Sequence, residues 1–243
     1  MKKTVVAVAV SLTASLVLLA LGGYSVVYAE SRKIPVYKVQ TEEKILSISF
    51  DAAWGADKTQ KILDVCDEYG VKATFFLVGF WVEKFPEMVK EIDRRGHEIG
   101  THSDTHPKMS TLSAEKITTE LQTSVQKIET LIGKKVELFR PPFGDYDNKT
   151  ITCAENLGLY SIQWSVDSLD WKGISARQIA ERVQKADRGD VVLCHNNSDH
   201  IVEALPAIFA AAQNKGLSFV PIGQLIYREG FKIDNTGKQI PLN

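Results

Sequence analysis

The sequence has no excess of one charge: 29 Lys and Arg face 30 Asp and Glu, for a net charge of −1. No basic stripe offers itself to nucleic acid, and no acidic run marks a solvating tail. Cysteine is scarce as well. Three cysteines in 243 residues do not build a disulfide framework. Cys66, Cys153 and Cys194 each stand among apolar neighbours, where small buried hydrophobes belong. There is no internal repeat and no low-complexity stretch, which excludes solenoids and collagen-like chains. Phe50-Asp51-Ala52-Ala53-Trp54-Gly55 lacks the G-x-G-x-x-G spacing of a nucleotide-binding turn. No Ser occupies a G-x-S-x-G turn, which disfavours a serine esterase. What is left is an ordinary globular composition, 44% hydrophobic and 24% charged.

One long uncharged run stands out. After Met1-Lys2-Lys3 no charge occurs from Thr4 to Ala29. A stretch of about 25 such residues can cross a bilayer core. The basic start holds the N-terminus in the cytoplasm and exports the remainder of the chain. Val27-Tyr28-Ala29 before Glu30 also reads as a small-residue cleavage site, although the length of the core favours an uncleaved anchor. The expected organisation is a signal-anchor or transmembrane segment over 1–29, a polar linker or lead-in strand over 30–43, and one domain over 44–243. That domain is expected outside the cytoplasm, secreted or anchored to the cell membrane.

Beyond residue 44, β-branched apolar runs alternate with amphipathic runs that stop at Gly. The pattern predicts strands over 45–50, 73–78, 98–101, 138–140, 160–166, 191–193 and 217–221. Helices are expected over 57–69, 86–95, 113–132, 148–157, 176–186 and 200–214, the last with a kink at Pro206. Strand–helix alternation implies parallel pairing. The expected fold is α/β, a compact or incomplete (β/α) barrel of about seven parallel strands. A doubly wound open sheet is the alternative.

A parallel barrel carries its active site at the C-terminal ends of its strands. Five predicted strand ends bear ionisable residues: Asp51, the run His102 to His106, Arg140, Asp167 with Asp170, and His195. Two imidazoles four residues apart, His102 and His106, are close enough to share one metal ion. Asp51 beside them suits a water-activating site, and His195 suits a proton donor to a leaving group. Cys194 points to the other face of its strand, which disfavours a Cys–His nucleophile.

Taken in order, these residues resemble the polysaccharide deacetylases of carbohydrate esterase family 4, the NodB-homology domain. Ser49-Phe50-Asp51-Ala52 is similar to the family's T-F-D-D motif, and His102-Ser103-x-x-His106 to its H-[ST]-x-x-H. Arg140-Pro141-Pro142-Phe143 resembles R-x-P-[FY], Asp167-x-x-Asp170-Trp171 resembles D-x-x-D-W, and Leu193-Cys194-His195 resembles L-x-H. The run Phe-Asp-Ala-Ala-Trp-Gly together with the N-terminal segment looks closest to the PdaB-like sporulation branch.

The resemblance implies hydrolysis of N-acetyl groups from an amino-sugar polysaccharide, with peptidoglycan of the cell wall as the expected substrate. Asp51 would be the general base and Arg140 its orienting partner. His195 would be the general acid, tuned by Asp170. His102 and His106 would hold a divalent metal, zinc or cobalt. The Phe143 N–H would help stabilise the oxyanion, and Trp171 and Leu193 would wall the acetyl methyl. One position departs from the pattern. Ala52 replaces the Asp that ligates metal in the family, and this weakens or alters the site. Another carboxylate such as Asp57 or Asp104 could substitute, substrate could complete the site, or the chain could bind glycan without hydrolysing it. Trp54, Phe80 and Trp81 are candidate sugar platforms for that last reading. A glycoside hydrolase using Asp51 with Asp167 or Asp170 ranks lower, because it leaves both imidazoles without a role.

Overall fold

The structure, a computed structural model, describes residues 31–242. The membrane segment expected over 1–29 lies outside the described residues. Among the described residues no helix is long and apolar enough to cross a membrane.

Strands β1 (Lys38–Val39), β2 (Ile45–Ala52), β3 (Thr74–Leu77), β4 (Glu98–Thr101), β5 (Leu138–Phe139), β6 (Tyr160–Ser161), β7 (Val166–Asp167) and β8 (Val191–His195) are joined mostly through helices. They are followed by β9 (Ser218–Phe219), β10 (Phe231–Ile233) and β11 (Lys238–Pro241). The main sheet runs β6-β5-β4-β3-β2-β8-β7, all parallel, with β9 paired to the start of β2. This is a curled, incomplete barrel, as the alternation of elements predicts, and not a doubly wound sheet.

Residue alternation along the strands sorts the interior. On β2, Leu46, Ile48, Phe50 and Ala52 join the apolar layer under the helices. Ser47, Ser49 and Asp51 take the other face, as the period of two requires. On β3, Phe75 and Leu77 belong to the helix-side layer, while Phe76 joins a second apolar cluster with Val36, Leu138, Val191 and Ile222. The helix Ala114–Ile132 shows its punctuation plainly. Ser113 Oγ accepts from the Lys116 N–H, and Gly133 at φ 65° ends it.

Two local expectations are corrected. The single strand expected over 160–166 is two short strands. β6 pairs with β5, β7 pairs with β8, and the stretch between them is bound elsewhere: the Gln163 N–H donates to Val36 O. Pro206 lies, as expected, inside one helix, Ile201–Asn214. A short helix, Gly79–Lys84, fills a stretch with no predicted element. Of the two readings of the lead-in, the strand is present: β1 pairs with β11 of a C-terminal hairpin.

Candidate active site

Asp51 and His195 stand in register at the tips of neighbouring strands β2 and β8. In a parallel pair that register sends both side chains to one face, about 5 Å apart at the backbone. Each carries its own partner. Arg140 Nη1 donates to Asp51 Oδ1 at 2.8 Å and also to Ser49 Oγ at 2.8 Å. Its Nη2 donates to Gln163 O at 3.1 Å. The guanidinium is fully buried and lies 4.2 Å from the Phe76 ring centre. On the other side, His195 Nδ1 meets Asp170 Oδ1 at 2.8 Å, and the His195 backbone N–H donates to Asp170 Oδ2 at 2.8 Å.

Burial and charge compete at each group. Burial pushes the Asp51 carboxyl up, but Arg140, with His102 and His195 behind it, brings the net below the usual carboxylate range. Burial pushes the His195 imidazole down, but the hydrogen bond and charge of Asp170 turn the net upward. At His102 and His106 the charge of Asp51 opposes burial without overcoming it. Burial lowers both, His102 to about 4, so both are neutral at pH 7.

His102 follows β4 and is buried, with its Nδ1 at 2.7 Å from Arg140 O. A carbonyl can only accept, so Nδ1 carries the proton and Nε2 presents a lone pair. That Nε2 lies 3.5 Å from Asp51 Oδ2. His106 packs against it, with ring centres 5.0 Å apart. The loop between them is held from outside the motif. Glu120 accepts from the Asp104 and Thr105 N–H groups and from Thr105 Oγ1. Among the described residues the non-glycine residues at positive φ are Ser103, His106, Phe143 and Leu169. All lie in loops that bear site residues, where each such conformation costs roughly 1–3 kcal/mol.

These groups open into a cleft of about 790 Å³ lined by Asp51, His102, His106, Asp170, Leu193 and His195, with Phe143 and Trp171 at its edge. All nine residues named from sequence are therefore in or against one site, Arg140 lying just beneath it. Ala52 is fully buried in the helix-side apolar layer and does not line the cleft. Neither proposed substitute reaches it. Asp104 is held by Lys127 at 2.6 Å, and Asp57 is not part of the lining. Asp51, the nearest carboxylate, gives Oδ1 to Arg140 and leaves Oδ2 3.5 Å from His102 Nε2. Among the described residues no group of three or more His, Cys, Asp or Glu is placed to hold a metal. The two imidazoles alone do not make up the family's ligand set. Of the candidate sugar platforms, Trp81 is core and Phe80 is partly buried, whereas Trp54 is 60% exposed. Sequence reasoning passed over Glu120 and Gln163, since neither falls at a strand end or in a motif.

A family model for polysaccharide deacetylases matches residues 38–162. The chain is 34% identical over 182 residues to a peptidoglycan-N-acetylglucosamine deacetylase of Bacillus cereus, covering 73% of this chain and 66% of that one. It is 30% identical to the peptidoglycan-N-acetylmuramic acid deacetylase PdaA of Bacillus subtilis, covering 81% and 77%. The chain spans 60% of the length of another Bacillus subtilis relative, at 33% identity. Among solved structures, a family 4 pseudoenzyme from Bacillus anthracis superposes with a TM-score of 0.76 at 33% identity, covering 79% of this chain and 68% of that one. A mutant of that pseudoenzyme has restored enzymatic activity. The chain thus belongs to the polysaccharide deacetylase family, carbohydrate esterase family 4.

Proposed function

We propose that this protein removes N-acetyl groups from the amino sugars of cell-wall peptidoglycan. The observation that carries the reading is the convergence of two partnered couples, Asp51 with Arg140 and Asp170 with His195, on adjacent strand tips. One couple is fixed as a base and the other is poised as an acid. Asp51, kept ionised by Arg140, takes a proton from the attacking water. The oxygen adds to the acetyl carbon, and the charge that develops on the former carbonyl oxygen meets the Phe143 N–H, a donor worth about 3 kcal/mol. His195 then gives its proton to the departing amine as the C–N bond breaks, leaving acetate and a free amino sugar. Leu193 and Trp171 enclose the methyl. Relatives that are peptidoglycan deacetylases support this substrate class.

Family 4 hydrolysis generally uses a divalent metal, with zinc or cobalt the ions the resemblance implies. His102 and His106 are the residues available to bind one here, without the family's carboxylate. A second reading, glycan binding with little or no turnover, is favoured by Ala52 and by the likeness to a pseudoenzyme. We further propose that the uncharged segment over 1–29 exports and anchors the domain outside the cytoplasm, and that the protein serves sporulation. The first rests on the uncharged run, the second on the Phe-Asp-Ala-Ala-Trp-Gly resemblance. The test is acetate release from peptidoglycan fragments by the purified chain, with chelator and with added Zn²⁺ or Co²⁺. Acetate release supports hydrolysis. Glycan binding with no acetate under any metal supply supports the second reading.

A further inference from the structure

Trp54 is the feature of the cleft that neither the mechanism nor the five motifs use. It follows β2 by two residues and lines the cleft, yet 60% of it is exposed. An indole of this size is ordinarily drawn into a core. Here the core position is already filled by Trp81, which is 1% exposed. The backbone around Trp54 is also fixed. Gly55 O accepts from Trp81 Nε1 at 2.7 Å and from Asn196 Nδ2 at 3.0 Å, and Gly55 itself takes φ 61°. Asn196 is fully buried and also donates to Thr59 Oγ1 at 3.0 Å. Two buried side chains therefore clamp the turn that holds the indole outward.

The ring is supported from behind and from the side. Phe80 lies 5.4 Å away and His106 lies 6.2 Å away, edge on. Phe143 packs on the same imidazole at 4.6 Å. Trp54 thus stands beside His106 in the lining that it shares with Asp51 and His195. A flat, exposed apolar surface in the same cleft, not itself one of the reacting groups, suits a neighbouring sugar of a chain.

Resting on the deacetylase reading above, we infer that Trp54 is a preformed stacking platform for a neighbouring sugar ring. The site therefore takes glycan chains in preference to single sugars. The platform is a positioning element: it adds binding to long substrates and leaves the chemistry at Asp51 and His195 unchanged.

The test uses the full chain in detergent and two probes, N-acetylglucosamine tetramer and monomer. Binding is measured by calorimetry in a His195→Ala background so that no acetyl group is lost, and initial rates are measured with His195 intact. Trp54→Ala should weaken tetramer binding about tenfold and leave monomer binding unchanged. It should raise KM for the tetramer with kcat within about twofold, and Trp54→Phe should restore most of the loss. A tetramer affinity indifferent to Trp54→Ala overturns the proposal, as does an equal loss for monomer and tetramer. Trp54-dependent binding without acetate release under any condition keeps the platform and defeats the hydrolase reading. Absence of tetramer binding by the parent chain defeats both.

Discussion

The cleft has two imidazole walls, and the fold treats them in opposite ways. On one wall His102 and His106 are desolvated, and no carboxylate is hydrogen-bonded to a ring nitrogen closely enough to compensate, so both are held neutral. On the other wall His195 is desolvated too, yet a two-point contact with Asp170 lifts its pKa. The same side chain is held neutral in one place and drawn toward its protonated form in the other. The difference lies in a single hydrogen-bonded carboxylate, which shows that second partners, more than residue type, assign the roles.

The largest effect should come from the cation buried beneath the cleft. Arg140→Met leaves the buried Asp51 without its cation and should cost about 3–5 kcal/mol, read by urea unfolding. A variant as stable as the parent would mean that Asp51 has another partner. His195→Ala should reduce acetate release about 100-fold or more while the melting temperature stays near that of the parent. Unchanged turnover would remove the assigned acid.

Asp170→Asn sharpens the comparison by making the two walls alike. The folded pKa of His195 is raised, so its pairing stabilises the protein fully below about pH 6.5. That contribution fades as pH rises through the higher folded value. The variant should lose this stability at low pH and approach the parent at high pH. The alkaline limb of its activity profile should move toward acid. A limb that stays in place would detach His195 from Asp170.

The last variant probes the apolar layer behind the neutral wall. Ala52→Asp places a carboxylate where an apolar layer now closes over the strand tip. The melting temperature should fall without metal, and added Zn²⁺ should recover part of the loss if the new carboxylate reaches the imidazoles. No recovery would place residue 52 beyond their reach.

Most of this site was legible because its parts occupy strand tips, which a parallel barrel gathers at one end. Asp51, His102, Arg140, Asp170 and His195 needed only a correct strand count to be brought together. What escaped were interactions without local signature. Glu120 ties the His102–His106 loop from one turn along a helix whose periodicity concerns only its apolar face. The β1–β11 pairing joins the lead-in to the far end of the chain, and no short-range pattern encodes it. The split of 160–166 was hidden because Tyr160-Ser161-Ile162-Gln163-Trp164-Ser165-Val166 alternates apolar and polar residues without a break, a pattern that looks the same whether it feeds one strand or two. The burial of Ala52 was hidden as well, since the motif names a residue type but not the face on which it falls.

That split strand has a mechanical consequence. β6 and β7 are the two outermost strands of the curled sheet, and residues 162–165 join them directly. The hoop is therefore buckled by its own chain, and the gap cannot widen beyond the reach of a few residues at about 3.5 Å each. The buckle is also fastened inward, through Gln163 O to Arg140 and Gln163 Nε2 to Gly144 O. Any glycan must enter over the rim loops, because the staves themselves cannot spread without unfastening the base.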